Sequence, residues 1–122
     1  MLDVFSLQGR SALVTGGGKG LGYAMAEALA RSGADVAIVG RDRDALTAAA
    51  QRLAAETGKR IVPIAADVTD AGQVREMTDR ALESLGRLDI LVNNAGINIR
   101  RSTLEQSEQD FRRVIDTNLV GV

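Results

Sequence analysis

Four short Val/Ile-rich runs alternate with longer stretches of helical periodicity, and nothing else in the chain so narrows what it can fold into. Ser11–Thr15 reads as a buried strand that breaks at Gly16. From Gly20 to Ser32, the residues Leu21, Ala24, Met25, Ala28 and Leu29 recur at helical spacing, and Gly33 ends the helix. Asp35–Val39 is a second strand, closed by Gly40. Asp42 caps the next helix, in which Leu46, Ala49 and Leu53 line one face as far as Gly58. Arg60–Ala66 is a third strand and holds the only proline, Pro63, which argues for an edge position or a bulge. Asp70 caps a helix bearing Val74, Met77, Ala81 and Leu85 and stopping at Gly86. Asp89–Asn93 is a fourth strand, apolar on both faces through Ile90, Leu91 and Val92, and Ser107 begins a last helix.

This alternation implies parallel strands joined by right-handed crossovers, with helices on both faces of the sheet. The expected class is α/β, with residues 1–122 forming a single domain. In a dinucleotide-binding arrangement the strand order is 3-2-1-4. That order puts the strand with Pro63 at an edge, where a missing N–H costs least. The fourth strand has no successor to cover its open side, and Phe111, Val114, Ile115, Leu119 and Val122 form an apolar stripe running to the last residue. The expectation is therefore a truncated half-domain that self-associates through the open sheet edge or the last helix.

Composition removes whole classes of chemistry. The chain has no histidine and no cysteine, which excludes Ser-His-Asp triads, thiolate catalysis, disulfides and most transition-metal sites. Fifteen basic residues nearly balance sixteen acidic ones, so charge offers no reason to bind nucleic acid or an anionic membrane. Met1–Gly9 lacks the pattern of a signal peptide, and no apolar run approaches the ~20 residues of a membrane span. A cytoplasmic protein is expected.

The segment from Thr15 to Gly22, Thr-Gly-Gly-Gly-Lys-Gly-Leu-Gly, sits at the first strand-to-helix junction. A pyrophosphate needs backbone N–H groups pointing at it, a helix N-terminus for its charge, and no side chains in the way. Glycine at Gly16, Gly20 and Gly22 meets the last need, and the βαβ context is the one that gives such a loop meaning.

That loop, Thr-Gly-x-x-x-Gly-x-Gly, resembles the cofactor loop of the short-chain dehydrogenase/reductase family. Asn93-Asn94-Ala95-Gly96 resembles the family's second hallmark, with Asp67-Val68-Thr69 and Asp116-Thr117-Asn118-Leu119 as further matches in the family's order. The resemblance implies a Rossmann-type sheet and an NAD(P)-dependent oxidoreductase acting on CH–OH groups. It implies that Gly16, Gly18, Lys19, Gly20, Leu21 and Gly22 hold the pyrophosphate and its flanking riboses, mostly through their backbone. It also implies that Asp67 accepts from the adenine amino group with Val68 against the ring, and that Asn94, Ala95 and Gly96 approach the adenosine ribose. A strand-end turn carboxylate is the other reading of Asp67.

The cofactor's identity turns on Gly40-Arg41-Asp42 after the second strand. A carboxylate there accepts both ribose hydroxyls of NAD, whereas an arginine accommodates a 2′-phosphate. Arg41 takes the discriminating place, Lys19 adds a second cation, and Asp42 is assigned to capping, so NADP is expected with NAD as the alternative. Read otherwise, Arg41 is a solvated surface charge. Asn118 lies in phase with the apolar stripe, and the resemblance gives it a supporting catalytic role, holding a water that connects to the catalytic lysine. It can also be read as a partly exposed helix asparagine. No metal site is expected.

The chain departs from the family's pattern at the chemistry itself. The family's Tyr-x-x-x-Lys and its serine lie downstream of this asparagine; here the only tyrosine is Tyr23 and the only lysines are Lys19 and Lys59. The chain is thus expected to be the NADP(H)-binding half of such an enzyme and inactive alone. The rival expectations are a stand-alone or engineered minimal nucleotide-binding module, and a nucleotide-free flavodoxin-like domain. Arg100 and Arg101 read either as a hint of an anionic substrate or as solvated loop charges.

Overall fold

The computed structural model describes residues 3–96 together with 108, 109 and 112. After a 3₁₀ turn at Asp3–Phe5, the elements run β1 (Ser11–Thr15), α1 (Gly20–Arg31), β2 (Asp35–Gly40), α2 (Arg43–Thr57), β3 (Ile61–Ala65), α3 (Ala71–Leu85) and β4 (Ile90–Val92). The sheet is parallel, in the order β3-β2-β1-β4. Both the alternation and the strand order match the reading of the sequence. The opening 3₁₀ turn was not foreseen. Of the last helix, Glu108, Gln109 and Arg112 are helical; its stripe and Asn118 lie outside the described residues, as do Arg100 and Arg101.

Pleating divides the strand residues between two cores. Ala12, Val14, Val36 and Ile38 pack under α1 and α2, together with Leu46, Ala49, Ala50 and Leu53. Leu13, Ala37, Val39 and Ile64 face the other way, onto Met77 and Ala81 of α3. The central strands β1 and β2 are covered on both faces, as their two-sided apolar character requires. Among the described residues no helix is long and apolar enough to cross a membrane.

The ladder between β2 and β3 explains the proline. Val36 N–H donates to the Arg60 carbonyl and Ala66 N–H to the Gly40 carbonyl, each at 2.9 Å. With Ile38 opposite Pro63, this phase turns Ile61, Pro63 and Ala65 away from β2, so the ring removes no ladder bond. Pro63 lies on the edge strand, as expected.

The apolar stripe expected on α1 is corrected. The buried line is Gly22, Ala26 and Ala30, whereas Leu21 is 70% exposed and Ala24 and Ala28 face solvent. Met25 and Leu29 are half-buried. The reason is closeness. At Gly22 the helix lies so near β1 that any Cβ would overlap the Gly16 carbonyl oxygen. The face of the smallest residues therefore goes inward, against the order of hydropathy.

The fourth strand is shorter than expected because side chains replace its ends. Asp89 receives the Ser11 N–H (2.9 Å) and two Arg87 guanidinium bonds (2.8 and 2.6 Å), with Arg10 at 3.5 Å. These donors, Arg87 first and then the Ser11 amide, hold the Asp89 carboxyl down to about 2. A depressed carboxyl contributes stability that is present above its unfolded value of ~3.9 and lost as pH falls through the folded value. The stability difference between wild type and Asp89→Asn should thus be constant at neutral pH and shrink between about pH 4 and pH 2. Urea unfolding across that window checks it, and a pH-independent difference counts against the clasp.

Candidate functional site

Every described residue singled out from the sequence, Gly16 to Gly22, Arg41, Asp67, Val68 and Asn94 to Gly96, follows the carboxyl end of a strand. Because the strands are parallel, all four ends open on the same side of the sheet. The helix after β1 lies on one face and the helix before β4 on the other, so a crevice forms between these two strand ends.

The crevice is held by one hydroxyl. Thr15 Oγ1 accepts from Asn94 N–H (2.9 Å) and Ala95 N–H (3.0 Å) and donates to the Val92 carbonyl (3.3 Å). Asn94 Nδ2 then donates to the Gly16 carbonyl at 3.3 Å. Thr15 is only 4% exposed, and its hydroxyl ends the β1–β4 ladder by taking the amide that the next strand residue would have bonded. The Asn-Asn-Ala-Gly segment is in this way tied to the start of the glycine loop.

Past Gly17 the loop leaves its amides without an acceptor among the described residues. Gly16 and Gly17 N–H both donate to the Val39 carbonyl, at 2.8 and 3.3 Å. Among the described residues, the N–H groups of Gly18, Lys19, Gly20, Leu21 and Gly22 take no acceptor. Lys19 stands at the N-cap of α1 in an extended conformation, and no side chain caps the helix. Unpaired amides and the positive end of the helix dipole therefore coincide at an uncovered helix start. At Gly16, with φ of 67°, a Cβ would lie 3.1 Å from Asn94, so the glycine serves both the turn and the approach of the two segments.

At the end of β2 the two charges are separated by their bonding. Asp42 Oδ1 accepts the Ala45 N–H at 3.1 Å and so is committed to α2, as the capping expectation required. Arg41 is exposed, and its charge is felt by Asp67 at the neighbouring end of β3. Asp67 Oδ1 accepts both the hydroxyl (2.6 Å) and the N–H (2.9 Å) of Thr69. Those two bonds, with the Arg41 charge behind them, lower the Asp67 pKa. Asp67 does shape a strand-end turn, but among the described residues Oδ2 accepts no hydrogen bond. Val68, Thr15 and Asn93 line one end of a cleft of about 330 Å³ between β4 and α3.

The pattern of the glycine loop and the Asn-Asn-Ala-Gly segment is matched by a family model, short chain dehydrogenase, over residues 10–122. The chain belongs to the short-chain dehydrogenase family. The chain is 38% identical over 115 residues to mouse peroxisomal 2,4-dienoyl-CoA reductase, covering 94% of the chain and 39% of that protein. It is 39% identical over 120 residues to gluconate 5-dehydrogenase of Gluconobacter oxydans, covering 98% and 46%. A short chain dehydrogenase from Burkholderia cenocepacia, solved in complex with NADP, superposes with a TM-score of 0.85 at 41% identity, covering 94% and 47%. The chain spans less than half the length of these relatives.

Two residues of this candidate site escaped the sequence reading. Thr15 was read only as part of a motif and is the hinge pin of the crevice. Gln73 accepts the Asp67 N–H at 2.9 Å while its own N–H is capped by Asp70 (3.1 Å), so it fixes the turn that presents Asp67. The Asp70-x-x-Gln73 spacing of a capping box was a usable signal. Thr15 carried none, since its partners lie nearly eighty positions away.

Proposed function

We propose that this chain binds NADP(H) and forms the cofactor-holding half of a short-chain dehydrogenase that moves a hydride between nicotinamide and an alcohol or carbonyl carbon. The carrying observation is the run of unpaired amides from Gly18 to Gly22 at an uncapped helix start, braced by Thr15 and Asn94. These amides suit a pyrophosphate. Asn94, Ala95 and Gly96 border the crevice where the adenosine ribose would lie, and Asp67 Oδ2 with Val68 suits the adenine. The nicotinamide supplies or accepts the hydride; the residues here bind and orient the other end of the cofactor.

Preference for NADP is supported by Arg41 and Lys19, both exposed, and by the commitment of the neighbouring carboxylate, Asp42, to helix capping. The Burkholderia relative, solved with NADP, supports the same cofactor, and the relatives together do not point to one substrate. A dienoyl-CoA reductase and a gluconate dehydrogenase match this stretch equally well. Substrate choice is thus carried outside these residues, and Asn118 keeps its supporting role as a proposal. Leu91, 61% exposed on the edge strand β4, supports self-association.

Calorimetric titration with NADPH and NADH, with the mass measured on the same sample, tests this reading. Saturable binding favouring NADPH is expected, without turnover, because Tyr23 is the only tyrosine and has Glu27 at i+4 rather than lysine. Arg41→Gln should lower NADPH affinity roughly tenfold to a hundredfold, the ~1.5–3 kcal/mol of a charged hydrogen bond, and leave NADH nearly unchanged. Equal losses for both cofactors would refute the assignment of Arg41, and a folded sample that binds neither would refute the function.

A further inference from the structure

At the outer edge of the sheet, far along the strand order from the crevice, Arg43 of α2 and Arg80 of α3 line one cleft. These helices cover opposite faces of the sheet, and the two side chains line one cleft because β3 is the edge strand between them. The cleft measures about 240 Å³, room for roughly eight waters at ~30 Å³ each, and its other walls are Leu46, Thr47, Pro63 and Ala65.

Its chemistry is one-sided. Among the described residues no carboxylate lines it. Among the described residues, neither Arg43 nor Arg80 has an acidic partner within ion-pair reach or donates a side-chain hydrogen bond. The Thr47 hydroxyl is already turned onto the Arg43 carbonyl at 2.9 Å. The β3 ladder phase points the Ala65 N–H outward, off the sheet and on the cleft side. Two arginines and one outward-facing amide thus border a concave space with no carboxylate in its lining among the described residues. Like charges in such a place repel unless an anion lies between them, and guanidinium is the group best matched to a tetrahedral oxyanion.

We propose that this cleft is an anion site, separate from the cofactor crevice, that takes the phosphate group of a small phosphorylated ligand. Arg43 and Arg80 grip the oxygens from the two faces of the sheet, and the Ala65 amide supplies a third, fixed donor. Pro63 keeps its floor apolar. The same chemistry is present in the 2′-phosphate of NADP(H), so the test must separate that source from an independent ligand.

Inorganic phosphate is titrated into the full chain at constant ionic strength while the Ala65 amide and the Arg43 and Arg80 Nε–H signals are followed by NMR. The expected result is one saturable shift shared by all three, weakened at least tenfold in Arg80→Gln and in Arg43→Gln. Both variants should show the wild-type unfolding midpoint to within a few tenths of a molar urea. A response that is linear in phosphate, or reproduced by chloride, overturns the site, as does a shift that survives Arg80→Gln. Adding 2′,5′-ADP should move the glycine-loop amides in wild type and Arg80→Gln alike. If it instead occupies the Arg43–Arg80 cleft and displaces phosphate there, the cleft belongs to the cofactor and the independent site is overturned. Failure of the cofactor reading would show only at the glycine loop, so the two are distinguishable.

Discussion

Replacing Gly22 by alanine is expected to cost about 3 kcal/mol of folding stability, although the same change in an open helix stabilises by ~0.5–1 kcal/mol. The sign is reversed by the packing. A Cβ at this position would overlap the Gly16 carbonyl oxygen and come within 2.7 Å of the Gly16 carbonyl carbon and 2.6 Å of Asn94 Nδ2. Two of these atoms are backbone and cannot rotate away, so α1 must lift off β1 or the glycine loop must move. Either response also disorders the amides from Gly18 onward, and NADPH affinity should fall with stability. Gly72 provides the internal control. It lies in the first turn of α3, where an added Cβ meets only Asp70 Oδ1 at 3.3 Å, and Gly72→Ala should be within about 0.5 kcal/mol of wild type. Urea unfolding of both variants decides the matter, and similar midpoints would mean that α1 has slack the packing does not show.

Thr15→Val should be nearly as damaging, for a different reason. Valine keeps the shape and the burial but removes the oxygen that three backbone groups share. The N–H groups of Asn94 and Ala95 lose their acceptor and the Val92 carbonyl loses its donor. A partly buried amide left unpaired costs ~1–3 kcal/mol, so a total of about 3 kcal/mol is expected if water restores part of the bonding. Thr15→Ser keeps the hydroxyl and should lose only about 1 kcal/mol for the buried methyl. The two variants also separate stability from function. With the clamp gone, the Asn-Asn-Ala-Gly segment is no longer held against the glycine loop, and NADPH affinity should drop more than tenfold in Thr15→Val while Thr15→Ser stays within a fewfold. Equal affinities in the two would remove Thr15 from the account of the site.

The pair of predictions also shows why the two halves of the site were unequally readable. Gly22 stood out in the sequence as the last glycine of the loop motif, where a pyrophosphate leaves no room for side chains. Its actual reason, contact with a carbonyl six residues earlier, concerns the closeness of α1 to β1. That closeness is also what misled the reading of α1. Hydropathy ranks Leu21 and Met25 above Ala26 and Ala30, yet only the small residues fit against the sheet, and Leu21 is left 70% exposed. Where a helix packs on α2-like terms, with Leu46 and Leu53 filling space, the expected and observed faces agree.

The sequence by itself determined whatever depends on short range. Strand and helix alternation, the Asp42 and Asp70 caps and the helix stops at Gly58 and Gly86 all rest on contacts spanning three or four residues, and each is present in the structure. The parallel direction followed from the alternation and the 3-2-1-4 order from the dinucleotide-binding arrangement, which put Pro63 at an edge where its missing donor costs least. Tertiary structure alone decided what joins distant segments. It brought the Thr15 hydroxyl to Asn94 and Ala95, put the Arg41 charge where Asp67 feels it, and gathered Arg43 and Arg80 at one edge. Periodicity carries the direction a side chain takes from its own element. Which oxygen or charge it meets depends on where another element, dozens of residues away, has been laid beside it.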